Sequence, residues 1–593
     1  MLGWTLEQWR DAYQTGDYTP VSAMKALYTT LRDSERSLWI HLLDESDLVA
    51  RAKQLSDPSL PLYGVPFAVK DNIDVAGLPT TAACPAFTYT ADHTAPVVQA
   101  LLDAGAILVG KTNLDQLATG LVGVRSPYGA VPNPFNPDYI TGGSSSGSAA
   151  VVSQGLVPFA LGTDTAGSGR VPAGFTNTVG LKPTKGSMST RGVVPACRTL
   201  DCVSVFALSV ADAETVYDLY RGYDAEDGYS RPDPAARPKA LPARPRLGIP
   251  DQLPWFDDTQ AEQAWKQQLS AMADIAELVP MDLQALHDTA ALLYQGPWVA
   301  ERYSVAEPLM QNQDALLPVI RDVIGVAEGM SAVDAFRAQY KLADLKRQAD
   351  ALLSQVDALL VPTSPGIYRI DAVNADPIRL NSQLGVWTNF VNLLDQCALA
   401  LPGGFREDGL PCGITLIGPA WHDAALAEFG RRWQRHQPWQ AGAVGGDLPR
   451  VTPAQASKDD ADHITIAVVG AHLSGMPLNG QLTERGGVLL EATETAPCYR
   501  LYALANTTPP KPGLIKSDDG AAIQIELWQL PVSEFGSFVG LIPPPLGIGS
   551  LETADGRLVK GFICEGWAID DATDITALGG WRAYIAQRQN TAN

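Results

Sequence analysis

The chain has 593 residues, well past the roughly 250 to 300 at which a single core stops growing, so at least two domains are expected. Hydrophobic residues make up 46% and charged residues 18%, the balance of a globular chain, and a net charge of −22 disfavours nonspecific attraction to nucleic acid or an anionic membrane. The seven cysteines form no C-x-x-C pair or zinc-like spacing, no stretch reaches about 18 apolar residues, and MLGWTLEQWRDAY lacks a basic stretch leading into an apolar one, so free thiols in a soluble cytoplasmic protein without a metal are expected.

Residues 1–55 carry helical periodicity, after which LYGVPFAVKDNI (62–73) reads as a buried strand entering a polar turn, with Lys70 at the strand end. VVQALLDAGAILVGKTN (97–113) passes from helical period to a short apolar strand. GGSSSGS (142–148) is a Gly/Ser loop whose glycines permit close approach to another group; alone, it is equally a flexible or anion-binding turn. LGTDTAGSGRVPA (161–173) is a second such turn after the apolar run GLVPFALG. Backbone N–H groups in a tight turn can converge as an oxyanion hole requires, with Ser168 placed to attack a carbonyl.

From about 257 to 357 helices dominate, and DALLVPTSP follows as a strand with a proline stop. Within ALLYQGPWVAERYSV (291–305), Tyr294 and Arg302 lie eight positions apart, but Gly296 and Pro297 interrupt the helix, so a common face is not assured. An arginine fork beside a tyrosine hydroxyl suits a small carboxylate; a surface helix with Glu301 and Arg302 solvated is the alternative. The alternation implies an α/β fold, a mixed central sheet with helices on both faces. AGAVGGDLPRVTPAQASKDD (441–460) reads as a linker. HITIAVVGAHL then opens a smaller α+β domain, with His472 in a turn after a strand.

PFAVKDN, GGSSSGS and GTDTAGSGRVPA, in that order, resemble the three catalytic segments of the amidase-signature family, over roughly residues 1–440. The resemblance implies a triad of Lys70, Ser144 held by a cis peptide bond, and the nucleophile Ser168; the 24 positions between the serines agree with the family pattern. It also implies an oxyanion hole from the N–H groups of Thr165, Ala166, Gly167 and Ser168, with Ala166 standing where many members carry glycine. None of the seven histidines lies near these segments in sequence, so the lysine is the expected base. Its pKa must then fall well below the usual value of about 10.4. Burial beside Phe67 and Val69 would lower it, and Asp71 would oppose that if it faced the amine.

YQGPWVAERY and LATGLVGVRSPYG (117–129) resemble the allophanate hydrolases, as do four segments of the tail: VVGAHLSGMPLN, TAPCYRLYAL, PPKPGL and PLGIGSLETADGRLVKGFICE. This implies that Tyr294, Arg302 and Gly120 bind allophanate (urea-1-carboxylate). It also implies that residues 461–593 form the family's C-terminal domain, similar in fold to gamma-glutamylcyclotransferase-like barrels, which decarboxylates N-carboxycarbamate. His472 is then the catalytic candidate there, and Tyr499, Arg500 and Lys511 are candidate ligands of the product's carboxylates. Taken singly, a loop histidine more often bonds its own turn and a strand arginine such as Arg500 more often faces water. No cofactor is implied, because loss of carbon dioxide from a carbamate nitrogen needs protonation rather than an electron sink. The resemblance further implies a homodimer and a functional link to a urea carboxylase. The competing readings are one component of an amidotransferase and a tail that serves only as an interaction module.

Overall fold

The computed structural model describes residues 1–234, 237–449, 463–505 and 507–591. The chain divides into a larger unit, Met1–Asp233 with Arg246–Val451, and a smaller one, Pro234–Pro245 with Thr452–Asn593.

The larger unit is built on an eleven-stranded mixed sheet. Its strands in chain order are β1 Trp39–Leu42, β2 Pro66–Lys70, β3 Ile107–Thr112, β4 Phe159–Asp164, β5 Val179–Lys182, β6 Cys202–Ala207, β7 Arg246–Pro250, β8 Glu277–Met281, β9 Ala358–Pro362, β10 Gln396–Phe405 and β11 Pro411–Pro419. They lie in the order β1-β3-β2-β4-β6-β5-β10-β11-β9-β7-β8. Every residue of β2, β3, β4, β6 and β9 is buried, which is why these strands are mostly apolar and do not alternate, and the polar side chains at the ends of β2, β3 and β4 are buried with them. Phe67 of β2 and Phe159 of β4 are register partners whose rings stack at 5.3 Å. The helical stretch 1–55 resolves into Leu6–Gln14, Pro20–Asp33 and Glu45–Gln54, the first two opened by capping boxes on Thr5 and Thr19. Between the last two lies the edge strand β1, whose four residues are too short to show a period of their own.

β2 runs parallel to both β3 and β4, so Lys70, Thr112 and Asp164 end on the same edge of the sheet. Carboxyl ends of neighbouring parallel strands leave a crevice where ligands bind in open α/β sheets. The Gly/Ser loop folds into this crevice and continues as the Ser146–Ser153 helix. Ser148 Oγ donates to Leu161 O at 2.9 Å and lies 2.7 Å from Thr112 Oγ1, while Gly147 N donates to Asn113 O at 3.0 Å. Residues 140–150 are all buried, so the loop is a fixed part of the core and not a flexible turn.

Of the stretch expected as a linker, 441–449 is held on the larger unit: Ala443 N donates to Ser153 O at 2.7 Å, and Ala441 is buried. Residues 450–460 of that stretch lie outside the described residues. The smaller unit has a five-stranded sheet and a three-stranded one. Its strands include β12 His463–Val468, β13 Val488–Glu494, β14 Tyr499–Ala503 and β15 Pro512–Lys516. A segment from the middle of the chain also belongs to it: Ala240 sits in its core with Ile466, Leu527 and Trp528, and Lys239 Nζ donates to Gln529 Oε1 at 2.8 Å. Nothing in the Pro/Ala-rich sequence around Ala240 signals that excursion. Among the described residues, no helix is long and apolar enough to cross a membrane.

Candidate active site

Lys70 is completely buried at the end of β2, and its Nζ lies 2.7 Å from Ser144 Oγ, 2.9 Å from Ser145 Oγ and 2.8 Å from Thr163 Oγ1. All three partners are neutral hydroxyls. Burial lowers the amine's pKa to about 7, outweighing the pull of the Asp115, Asp164 and Asp201 carboxylates, while the charge of Arg302 lowers it further. Asp71 does not oppose this, because it faces away. Its carboxylate pairs with Lys111 at 3.1 Å and accepts from Thr81 N at 2.9 Å and Thr81 Oγ1 at 2.5 Å. A desolvated amine with hydroxyl partners and a pKa of about 7 is suited to accept a proton near neutral pH.

The Gly143–Ser144 peptide is cis. Its position is held by Asp115, whose N–H donates to Ser144 O at 3.1 Å and whose carboxylate accepts from the N–H groups of Val122, Gly123 and Arg125 at 2.9–3.2 Å. A Cβ on Gly143 would overlap Asp115 Oδ2 and stand 2.6 Å from Gly123 N, so only glycine fits.

Ser168 is 4% exposed and lies in the turn between β4 and the Val171–Thr176 helix. Asp164 organises this turn, forming a bidentate pair with Arg170 at 2.9 Å and accepting from Gly167 N at 2.9 Å and Gly169 N at 3.0 Å. The expected oxyanion hole is therefore corrected at one position. The Gly167 N–H is already spent on Asp164, whereas the N–H groups of Thr165, Ala166 and Ser168 have no hydrogen-bond partner among the described residues. Thr165 is anchored by its side chain, which donates to Asp201 Oδ1 at 2.5 Å. Burial raises the Asp201 carboxyl to about 6, against the hydrogen bonds from Thr165 and Cys197 N, the charge of Arg302 and the hydrogen bond from Ala196 N. Ser145, Thr163 and Asp201 were not singled out in the sequence; each is one polar residue among many until the fold brings it to Lys70 or Thr165.

Tyr294 and Arg302 do come together. The helix Gln284–Gln295 ends at Gly296, and the chain reverses through Pro297 into Val299–Met310. Arg302 Nη2 then lies 3.4 Å from Tyr294 Oη, with its guanidinium carbon 5.5 Å from the ring centroid. Tyr294, Leu292, Leu293 and Trp298 pack with Ala166, which sets this helical hairpin against the turn that carries Ser168. Arg302 is 3% exposed and its other partners are Ala118 O at 3.3 Å and Thr119 Oγ1 at 3.0 Å, all of them neutral. The solvated alternative fails for Glu301 as well, which accepts from Thr199 N at 3.0 Å and Thr199 Oγ1 at 2.5 Å. Gly120 directly follows Thr119 and is buried.

In the smaller unit, His472 and Lys511 line one cavity together with Gly470, Gln481, Pro512 and Phe562. The His472 ring stacks on Phe562 at 5.0 Å, and its Nε2 lies 2.9 Å from Gln481 Oε1. Burial lowers the His472 pKa; Gln481 opposes this and the Lys511 charge adds to it. Tyr499 and Arg500 are corrections, since neither lines that cavity. The Tyr499 hydroxyl accepts from Glu552 N at 2.9 Å in the core, and Arg500, on the opposite face of β14, pairs with Asp519 and Asp574.

Residues 24–427 match the Amidase family, and residues 464–586 match the allophanate hydrolase C-terminal domain. Urea amidolyase of Saccharomyces cerevisiae is 43% identical over 610 residues, covering 98% of this chain and 33% of its own length, so the chain spans about a third of that relative. A glutamyl-tRNA(Gln) amidotransferase subunit from Prochlorococcus marinus is 30% identical over 75% of this chain and 99% of its own. The structure of Kluyveromyces lactis allophanate hydrolase superposes with a TM-score of 0.80 at 43% identity, covering 99% of each chain.

Proposed function

Since the chain belongs to the amidase family and carries an allophanate hydrolase C-terminal domain, we propose that it hydrolyses allophanate to N-carboxycarbamate and ammonia, and that the smaller unit then assists decarboxylation. The observation that carries the substrate assignment is Arg302, a buried guanidinium packed beside the nucleophile's turn, whose direct hydrogen-bond partners are all neutral while the Asp201 and Glu301 carboxylates act on it only from outside contact. A buried cation with donors to spare favours an anionic ligand, and allophanate offers a carboxylate next to a urea-like carbonyl.

In the first step Ser168 Oγ attacks the terminal carbamoyl carbon. Its proton passes to Ser144, and the Ser144 proton passes to Lys70 Nζ, which lies 2.7 Å from Ser144 Oγ. The N–H groups of Thr165, Ala166 and Ser168 hold the developing oxyanion. As the tetrahedral species collapses, the proton returns through Ser144 to the leaving nitrogen, ammonia departs and an acyl-enzyme remains. Water, deprotonated by the same relay, then releases N-carboxycarbamate and regenerates Ser168. In the smaller unit Lys511 supplies positive charge for a carboxylate, and His472 stands beside it in the same cavity to manage the proton that the carbamate nitrogen takes up as carbon dioxide leaves. Carbamate then breaks down, for a sum of two ammonia and two carbon dioxide.

A cytoplasmic homodimer that works downstream of a urea carboxylase completes the proposal. Its support is the seven unpaired cysteines and the outward Val333, Phe336 and Tyr340 on the Ala332–Leu353 helix, a surface suited to a second copy. The decisive experiment measures ammonia release from allophanate and from glutamine for the wild type, Ser168→Ala and Arg302→Ala. Allophanate turnover abolished by the first change and weakened mainly in KM by the second is the expected result. Glutamine turnover in its place would favour an amidotransferase-like role. In His472→Ala, ammonia release with N-carboxycarbamate building up is expected; unchanged carbon dioxide release would leave the smaller unit as an interaction module only.

A further inference from the structure

A second buried arginine lies against the same substrate wall. Arg125 is 3% exposed, and two of its nitrogens are spent on carbonyls: Nη1 donates to Thr119 O at 3.1 Å and Nη2 to Pro377 O at 2.5 Å. Its Nε is buried with no partner among the described residues, and no carboxylate of those residues lies within ion-pair reach. Arg302 leans on the same short segment from another side, through Ala118 O and Thr119 Oγ1. Gly120 closes the arrangement. A Cβ there would stand 3.1 Å from Arg125 Cδ and 2.5 Å from Asp115 Oδ2, so the arginine stem lies directly over the glycine.

Burying a guanidinium with no carboxylate in ion-pair contact is costly, and two lie around the three-residue segment 118–120, with Asp115 acting on Arg125, and Asp201 and Glu301 on Arg302, only through space. Asp115, the nearest carboxylate, is committed to three backbone N–H groups. Burial comes first in lowering the Arg125 pKa; Asp115 and then Tyr294 oppose it, and the charge of Arg302 adds a smaller push downward. With direct hydrogen-bond partners that are all neutral and carboxylates held out of contact, the two like charges are better balanced when an anion enters.

We propose that Arg125 is a positioning and specificity-determining residue for the anionic substrate: it clamps Thr119 and Gly120, next to Ala118 O and Thr119 Oγ1 on which Arg302 docks, and supplies the second positive charge that makes the pocket select a carboxylate. It acts through Arg302 and the 119–120 backbone rather than on the scissile carbonyl. The inference rests on the reading of the larger unit as an amidase for a carboxylate-bearing substrate, and it extends that reading to a residue outside the triad and the Tyr294–Arg302 pair.

The test compares wild type, Arg125→Gln and Arg125→Lys. It measures kcat and KM for allophanate, and binding of malonamate, in which CH2 replaces the central NH, by isothermal calorimetry. A charge-assisted contribution lost from binding predicts that Arg125→Gln raises KM and the malonamate Kd by about tenfold or more with kcat within about threefold, and that Arg125→Lys, which keeps charge but loses the fork, lies between. Unchanged KM and Kd in a cooperatively folded Arg125→Gln would overturn the proposal, as would a loss confined to kcat. Should Arg125→Gln fail to fold, Arg125→Lys decides, and wild-type malonamate affinity in that variant would overturn it. Failure of the wild type to turn over allophanate would sink the functional reading separately, since malonamate binding still reports on Arg125.

Discussion

Lys70 Nζ and Ser144 Oγ stand 2.7 Å apart with no water-accessible surface on either residue. Proton transfer along this contact is the chemistry on which the proposed mechanism depends. Replacing Ser168 with Ala, or Lys70 with Met, is expected to lower kcat for ammonia release by on the order of 10⁴-fold with little change in the thermal midpoint of the Ser168 variant. Steady-state kinetics with calorimetry checks both halves. A Ser168→Ala enzyme with full activity would refute the triad.

The same contact sets a pH dependence. Only the neutral amine accepts a proton, and the folded Lys70 pKa is about 7. Below that value kcat/KM is expected to fall about tenfold per pH unit, and above it to level off. Stability should respond too. The lowered pKa means that between about 7 and 10.5 the unfolded chain binds a proton that the folded chain does not, so this group's contribution rises with pH across that window. Below it the cost of burying the amine is fully present. Denaturant titrations of wild type and Lys70→Met at pH 7, 8 and 9 should therefore diverge, the wild type gaining at most about 1.4 kcal/mol per unit relative to the variant.

Gly167 has φ +133°, and a Cβ there would stand 2.7 Å from Thr388 Cβ, the residue whose hydroxyl holds Ala166 O at 2.6 Å. Gly167→Ala should displace the turn that presents the Thr165, Ala166 and Ser168 N–H groups. The expected result is a kcat lower by on the order of 10²-fold, a KM changed far less, and a stability loss of about 1–3 kcal/mol. Equal losses in kcat and 1/KM would mean that the turn contributes to substrate binding instead.

Ala240 is 4% exposed in the core of the smaller unit although it lies more than two hundred positions before the rest of that core in sequence. Ala240→Asp buries an unpaired charge and should lower the smaller unit's stability by about 3 kcal/mol or more while ammonia release persists. By the same logic a 461–593 fragment should unfold at lower temperature than that unit does in the full chain. Equal midpoints would show that the 234–245 segment contributes nothing.

Much of this molecule is legible locally. Uninterrupted apolar runs such as PFAVK announce strands buried on both faces, and the Gly/Ser segments announce turns where backbone must approach closely. The resemblance of their segments to the amidase-signature family is what singles out Lys70, Ser144 and Ser168; the residues by themselves give two Gly/Ser turns and a strand-end lysine and leave open which serine does what. What the tertiary structure alone decided is how distant residues face one another. It turned Asp71 toward Lys111 and left the Lys70 amine to desolvation, folded Arg302 back onto Tyr294 across the Gly296–Pro297 break, brought Arg125 to the same wall, spent the Gly167 N–H on Asp164, and sent Arg500 to a surface pair away from His472. Each of these is a choice between two directions for one side chain or one N–H. Local propensity barely distinguishes them, and packing against segments tens to hundreds of residues away settles them.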